Sequence, residues 1–90
     1  MPYIESSDRK EIDILSKTIS QHISSLPLEK QDGALNYAIT KILKNVYPEK
    51  YFHYNRALGL LSSVQLEFYR RDVATYEDKK IVENGDVSKD

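Results

Sequence analysis

Cysteine is absent from this chain, and glycine and proline occur only three times each in ninety residues. Without cysteine there is no disulfide framework, no thiol nucleophile, and no zinc ribbon or iron–sulfur site. So little glycine and proline leaves few turns, which favours long helices over a meander of short strands. Three isolated glycines also cannot build a phosphate-cradling loop of the Walker or dinucleotide type. No apolar run approaches the roughly 20 residues of a membrane span, and the opening Met-Pro-Tyr-Ile-Glu-Ser-Ser-Asp lacks the basic start and apolar stretch of a signal peptide. The expectation is a soluble cytoplasmic protein that contacts no membrane.

What is present is a 10.4 kDa chain with 40% hydrophobic and 30% charged residues and a net charge of −1. That composition suits one small folded domain over residues 1–90, whose thin core makes oligomerisation a common remedy. Asp8 and Glu11 have the spacing of a capping box. Beyond them Ile12, Leu15, Ile19, Ile23 and Leu26 recur at steps of three and four, which predicts a first helix from about Ser7 to Ser25, closed by Pro27. Asp32 before Gly33 offers the next N-cap. Leu35, Ile39, Ile42 and Val46, with Ala38 and Leu43 beside them, give a second helix that Pro48 ends. The short connection makes these two an antiparallel hairpin.

The third segment reads as one helix from about Tyr54 to Glu83, roughly 45 Å long at about 1.5 Å per residue. Ala57, Leu61, Val64 and Phe68 lie on one face; Leu58, Leu60, Leu66 and Val73 flank it. A helix of that length either bends near Ala74-Thr75 or projects to meet a second subunit. Asn84-Gly85 then ends it, leaving residues 86–90 as a loose tail. The fold class expected is all-α: a helical hairpin packed on a long third helix, in an oligomeric bundle.

Catalytic chemistry has little to work with. The two histidines, His22 and His53, sit in no recognisable motif, and positions three and four from His22 are Ile19, Ser25, Thr18 and Leu26, which supply no carboxylate for a helical metal pair. No catalytic residue, metal ligand or cofactor is expected, and the protein reads as a non-enzyme.

Aromatic residues cluster instead. Tyr37, Tyr47, Tyr51, Phe52 and Tyr54 are five of the nine aromatics, and residues 37–56 also carry Lys41, Lys44, Lys50 and Arg56 against Glu49. Stacking rings beside cations suit a phosphate-bearing base, with Lys44, Tyr47, Lys50, Tyr51, Tyr54 and Arg56 as ligand-binding candidates. Tyrosine is also amphipathic, so the same rings can cap the edge of a thin core. Leu58, Leu61, Tyr69, Arg70 and Tyr76 are the candidates for contact with a protein partner or a second copy. A net charge of −1 without a concentrated basic face argues against duplex nucleic acid. Arg71, at i+3 from Phe68 and i+4 from Glu67, is expected to be partly buried and paired with that acid or with an acid from another subunit, with Arg70 more exposed and freer to meet a partner.

The stretch Leu66-Glu67-Phe68-Tyr69-Arg70-Arg71, continuing through Tyr76-Glu77-Asp78-Lys79-Lys80-Ile81 to Glu83-Asn84-Gly85-Asp86-Val87, resembles the C-terminal signature of a family of small uncharacterised proteins carried by bacteria, archaea and bacteriophages. Met1-Pro2-Tyr3-Ile4 and the segment from Gly33 to Lys41 are similar to that family as well. The resemblance carries no activity or site residues with it. It implies a proline-like bend near Thr75. It also implies a bacterial or phage-infected cytoplasm, and so the class of small proteins that counter host defence by binding a nucleotide signal or an immune protein. The function expected is non-enzymatic binding or regulation through protein–protein contact; the alternative is a sponge that sequesters a nucleotide.

Overall fold

The structure, a computed structural model, describes residues 3–87, which form helices and turns with no strand among them. The chain divides into two compact units, Met1–Glu49 and Lys50–Asp90. The fold is all-α, as the scarcity of turn residues requires.

The first unit is an antiparallel hairpin. A short 3₁₀ turn at Ser6–Asp8 leads into α1, Lys10–Ser24, and α2 spans Leu28–Val46. The expected capping box does not form. Asp8 closes the 3₁₀ turn, with its amide donating to the Glu5 carbonyl at 2.9 Å, so Arg9 rather than Asp8 stands at the head of α1, without a side-chain cap. Arg9 serves the entry differently. Its guanidinium donates to the Ile4 carbonyl at 3.0 and 2.8 Å and lies 5.8 Å from the Tyr3 ring, folding the leading segment back onto the helix.

The turn between the helices is tighter than the sequence suggests. Pro27 ends α1 and also opens α2, its extended backbone presenting a carbonyl to the Lys30 amide at 2.9 Å. Leu28, Glu29, Lys30 and Gln31 are good helix formers and enter α2 directly, so Asp32 and Gly33 lie inside the helix instead of at its start. Gln31 then closes the hairpin: its amide nitrogen donates to the Leu26 carbonyl at 3.0 Å and the Ser24 carbonyl at 3.4 Å, two acceptors that the end of α1 would otherwise leave to solvent. Ile23, Leu26, Ala34 and Ala38 are half-buried along the seam. Replacing Gln31 with alanine is expected to cost about 1 kcal/mol, read as a lower urea midpoint, because the side chain ties two carbonyls at one turn.

The second unit is one continuous helical run. Lys50, with extended backbone, precedes α3, Tyr51–Phe68; a π-helical turn follows at Tyr69–Val73, and α4 continues over Ala74–Asn84. The helix therefore begins three residues before the expected Tyr54, because the start set by Pro48 needs no glycine or cap beyond Lys50, whose carbonyl accepts from His53 and Tyr54. Ala74 and Thr75, where a bend was one expectation, lie in regular α4, and the departure from α geometry is the π turn just before them. Gly85 stops α4 with φ of 92° and ψ of 147°, a region open to glycine and costly for other residues. Of the expected tail, only Asp86 and Val87 are described, and 88–90 lie outside the described residues.

Candidate functional site

Among the described residues no hydrophobic side chain is buried. The chemistry this chain can perform is set by what its helices display.

α3 displays the most apolar surface. Tyr54, Ala57, Leu61, Val64 and Phe68 follow steps of three and four, and at about 100° per residue they make one stripe centred on Leu61. Leu58 flanks it. Leu58 is 63% exposed, Val64 56% and Phe68 62%, whereas Ala57 is half-buried and Leu61 37% exposed. Leu66, at 70% exposure, lies on a different side of the same helix. Such breadth on a single helix is the pattern of an element that meets more than one neighbour.

At the end of the stripe the π turn gathers an ion cluster. Glu67 is the sequestered member, its side chain only 19% exposed. Arg70 donates to its Oε1 at 2.7 Å and Arg71 reaches the same oxygen at 3.8 Å. This corrects the sequence expectation in two ways. Arg70 is the more exposed of the two, as expected, at 69% against 61%, but it also holds the shorter contact and so is not the freer, since i+3 is as near a neighbour on a helix as i+4. Arg71 is not buried, its side chain being 61% exposed, because Phe68 itself faces solvent.

The π turn also aligns groups across it. On an ordinary helix the i+8 residue lies about 80° off phase, whereas i+7 is nearly in line. The wide turn, in which the Ala74 amide donates to the Tyr69 carbonyl, takes up one extra residue, so Tyr69 and Glu77 share a face. The Tyr69 hydroxyl donates to Glu77 Oε1 at 2.9 Å. That hydrogen bond, followed by the negative charge of Glu77, raises the Tyr69 phenol above its ordinary value of 10.0. A raised phenol pKa means that the neutral form is favoured in the folded chain. Its contribution is therefore intact below pH about 10 and is lost as the pH rises through the higher folded value. Phenolate absorbance is expected to show Tyr69 titrating at higher pH in the wild type than in Glu77→Gln. Next to this pair Lys80 sits 5.5 Å from the Tyr76 ring.

The proposed ligand-binding residues divide between the two units. Lys44 lies near the end of α2 and Tyr47 follows that helix, half-buried; Lys50, Tyr51, Tyr54 and Arg56 belong to the start of α3. Within α3, Arg56 contacts the His53 ring nitrogen at 2.9 Å and lies 5.9 Å from the Phe52 ring, which meets His53 edge-on. The arginine and the aromatics are thus brought together, but around Phe52 and His53, while Tyr51 is 87% exposed. Asn36, inside α2, has a local role: it accepts from the Thr40 hydroxyl at 3.5 Å. Arg9, Gln31 and Glu77 were missed by reasoning from the sequence. Only Glu77 left a trace there, and reading it required knowing that the helix gains a residue at 69–73.

Among the described residues no group of three potential ligands could hold a metal ion, and no helix is long and apolar enough to cross a membrane. The sequence matches, over residues 1–87, the family described as a domain of unknown function, DUF6899. The chain belongs to that family. The match takes in both units, the hairpin of α1 and α2 together with the α3–α4 run. No curated protein and no solved structure matches.

Proposed function

We propose that this DUF6899 protein is a non-enzymatic binding or regulatory protein that acts through protein–protein contact. The observation that carries the reading is the exposed apolar surface of α3, where Leu58, Leu61, Val64 and Phe68 lie together on one side of a helix. Contiguous apolar surface of this kind marks a contact site on a soluble chain, and isolated exposed side chains do not. The aromatic and charged groups at its C-terminal end, Tyr69 with Glu77 and Arg70 with Glu67, supply one side of the polar border that an interface carries about its apolar centre.

The nucleotide-sponge reading makes a different demand. It needs rings and cations converging on one bound base, and Tyr51 stands out into solvent while Arg56 is engaged with His53. A thermal-shift panel of mono-, di- and cyclic nucleotides distinguishes the two. A protein-contact function predicts an unchanged melting temperature across the panel. A rise of several degrees with one saturating nucleotide would overturn it in favour of the sponge.

A further inference from the structure

We propose that the α3 stripe docks on the same stripe of a second copy of this chain, antiparallel, across a two-fold axis beside Leu61. This deepens the protein-contact reading by naming the partner.

The order of side chains is the first argument. An interface between two identical copies across a two-fold must be self-complementary, so a stripe suited to it reads nearly the same from either end. Outward from Leu61 the stripe runs through Ala57 to Tyr54 in one direction and through Val64 to Phe68 in the other. Antiparallel docking sets Leu61 on Leu61 and the ring of Tyr54 against that of Phe68, each seven positions from the centre, with Val64 falling between Leu58 and the small Ala57 of the other copy. Parallel docking would instead set Ala57 on Ala57 and Phe68 on Phe68, leaving a gap at one layer and crowding at another.

Charge gives the second. Residues 50–66 carry two cations, Lys50 and Arg56, and no acid; the acids of the run begin with Glu67 and Asp72. In a parallel pair the two cationic ends would lie side by side. In the antiparallel pair they are separated by the length of the seam.

Length gives the third. The helical run from Tyr51 to Asn84 has 34 residues and spans about 51 Å, against about 28 Å for the 19 residues of α2, the longer arm of the hairpin. A second copy of the run matches its length by construction.

The absence of cysteine makes the test direct, because any introduced thiol is the only one in the chain. Leu61→Cys is expected to give a disulfide-linked dimer under mild oxidation, while Leu66→Cys, on another side of α3, is not. A mixture of Tyr54→Cys and Phe68→Cys chains is expected to cross-link, and neither alone. For a version that leaves the seam intact, a spin label at Lys50→Cys should report a separation of about 33 Å within the dimer, given a rise of about 1.5 Å per residue. Self-linking of Tyr54→Cys, or a Lys50 separation near 10 Å, would overturn the antiparallel arrangement. A wild-type chain that sediments as a 10.4 kDa monomer would overturn the second copy as partner. The nucleotide panel reads the protein-contact function independently of either result.

Discussion

Leu61→Asp is expected to abolish self-association and to remove much of the helical circular dichroism of the second unit. Leu61 is the centre of the α3 stripe, and a single helix carrying Leu58, Leu61, Val64 and Phe68 has no partner inside its own unit to cover them. The substitution removes a side chain whose burial contributes about 1.5–3 kcal/mol per copy. Across a two-fold axis it also sets two carboxylates against each other, a juxtaposition that costs several kcal/mol more. Leu66→Asp, on another side of the helix, is the control: it adds the same charge to the same element and is expected to leave the assembly intact. Equal loss in both variants would show that α3 fails for reasons of helix stability, and the stripe would not be the interface.

The second large effect concerns chain length within the helical run. Deleting Ser62 is expected to destroy assembly, whereas deleting Asp72 is expected to be tolerated. Removing one residue from regular helix turns everything beyond it by about 100°, so loss of Ser62 carries Val64 and Phe68 off the line of Tyr54, Ala57 and Leu61. Asp72 lies in the π turn, which already holds one residue more than a regular turn accommodates. Its deletion lets that turn close to ordinary α geometry while α3 and α4 keep their relative phase, so Tyr69 and Glu77 still meet. Sedimentation and melting of the two deletion variants, compared side by side, measure the contrast. If the Asp72 deletion is as damaging as that of Ser62, the wide turn is needed for something other than phase.

Tolerance of the extra residue also explains why parts of this molecule were legible in the sequence and parts were not. The apolar periods of α1, α2 and α3 stand out because steps of three and four set those residues on one side of each helix, and Pro27, Pro48 and Gly85 punctuate the chain where local sterics leave no choice. The exact starts were less legible. Asp8 and Asp32 are good N-caps by chemistry, but the first was taken into a 3₁₀ turn and the second was overrun by four helix-forming residues after Pro27. Those outcomes depend on small energy differences between adjacent turns. The π turn left no pattern in the residues at all, since Tyr69-Arg70-Arg71-Asp72-Val73 would read as ordinary helix. The stripe around Leu61 was legible as a face; its near-symmetry about that residue becomes meaningful only once α3 is known to run unbroken from Tyr51 to Phe68. The aromatic and cationic cluster read from residues 37–56 spans the end of one unit and the start of the next, so spacing alone could not assemble it.

The central claim is that this chain works through contact made by the α3 surface, first with its own copy. Sedimentation equilibrium joined to thermal melting across a hundredfold range of concentration tests it most directly. The account predicts a mass of at least twice 10.4 kDa at high concentration, dissociation on dilution, and a melting temperature that falls as the assembly is diluted. A 10.4 kDa species throughout, melting cooperatively at one temperature whatever the concentration, would contradict it.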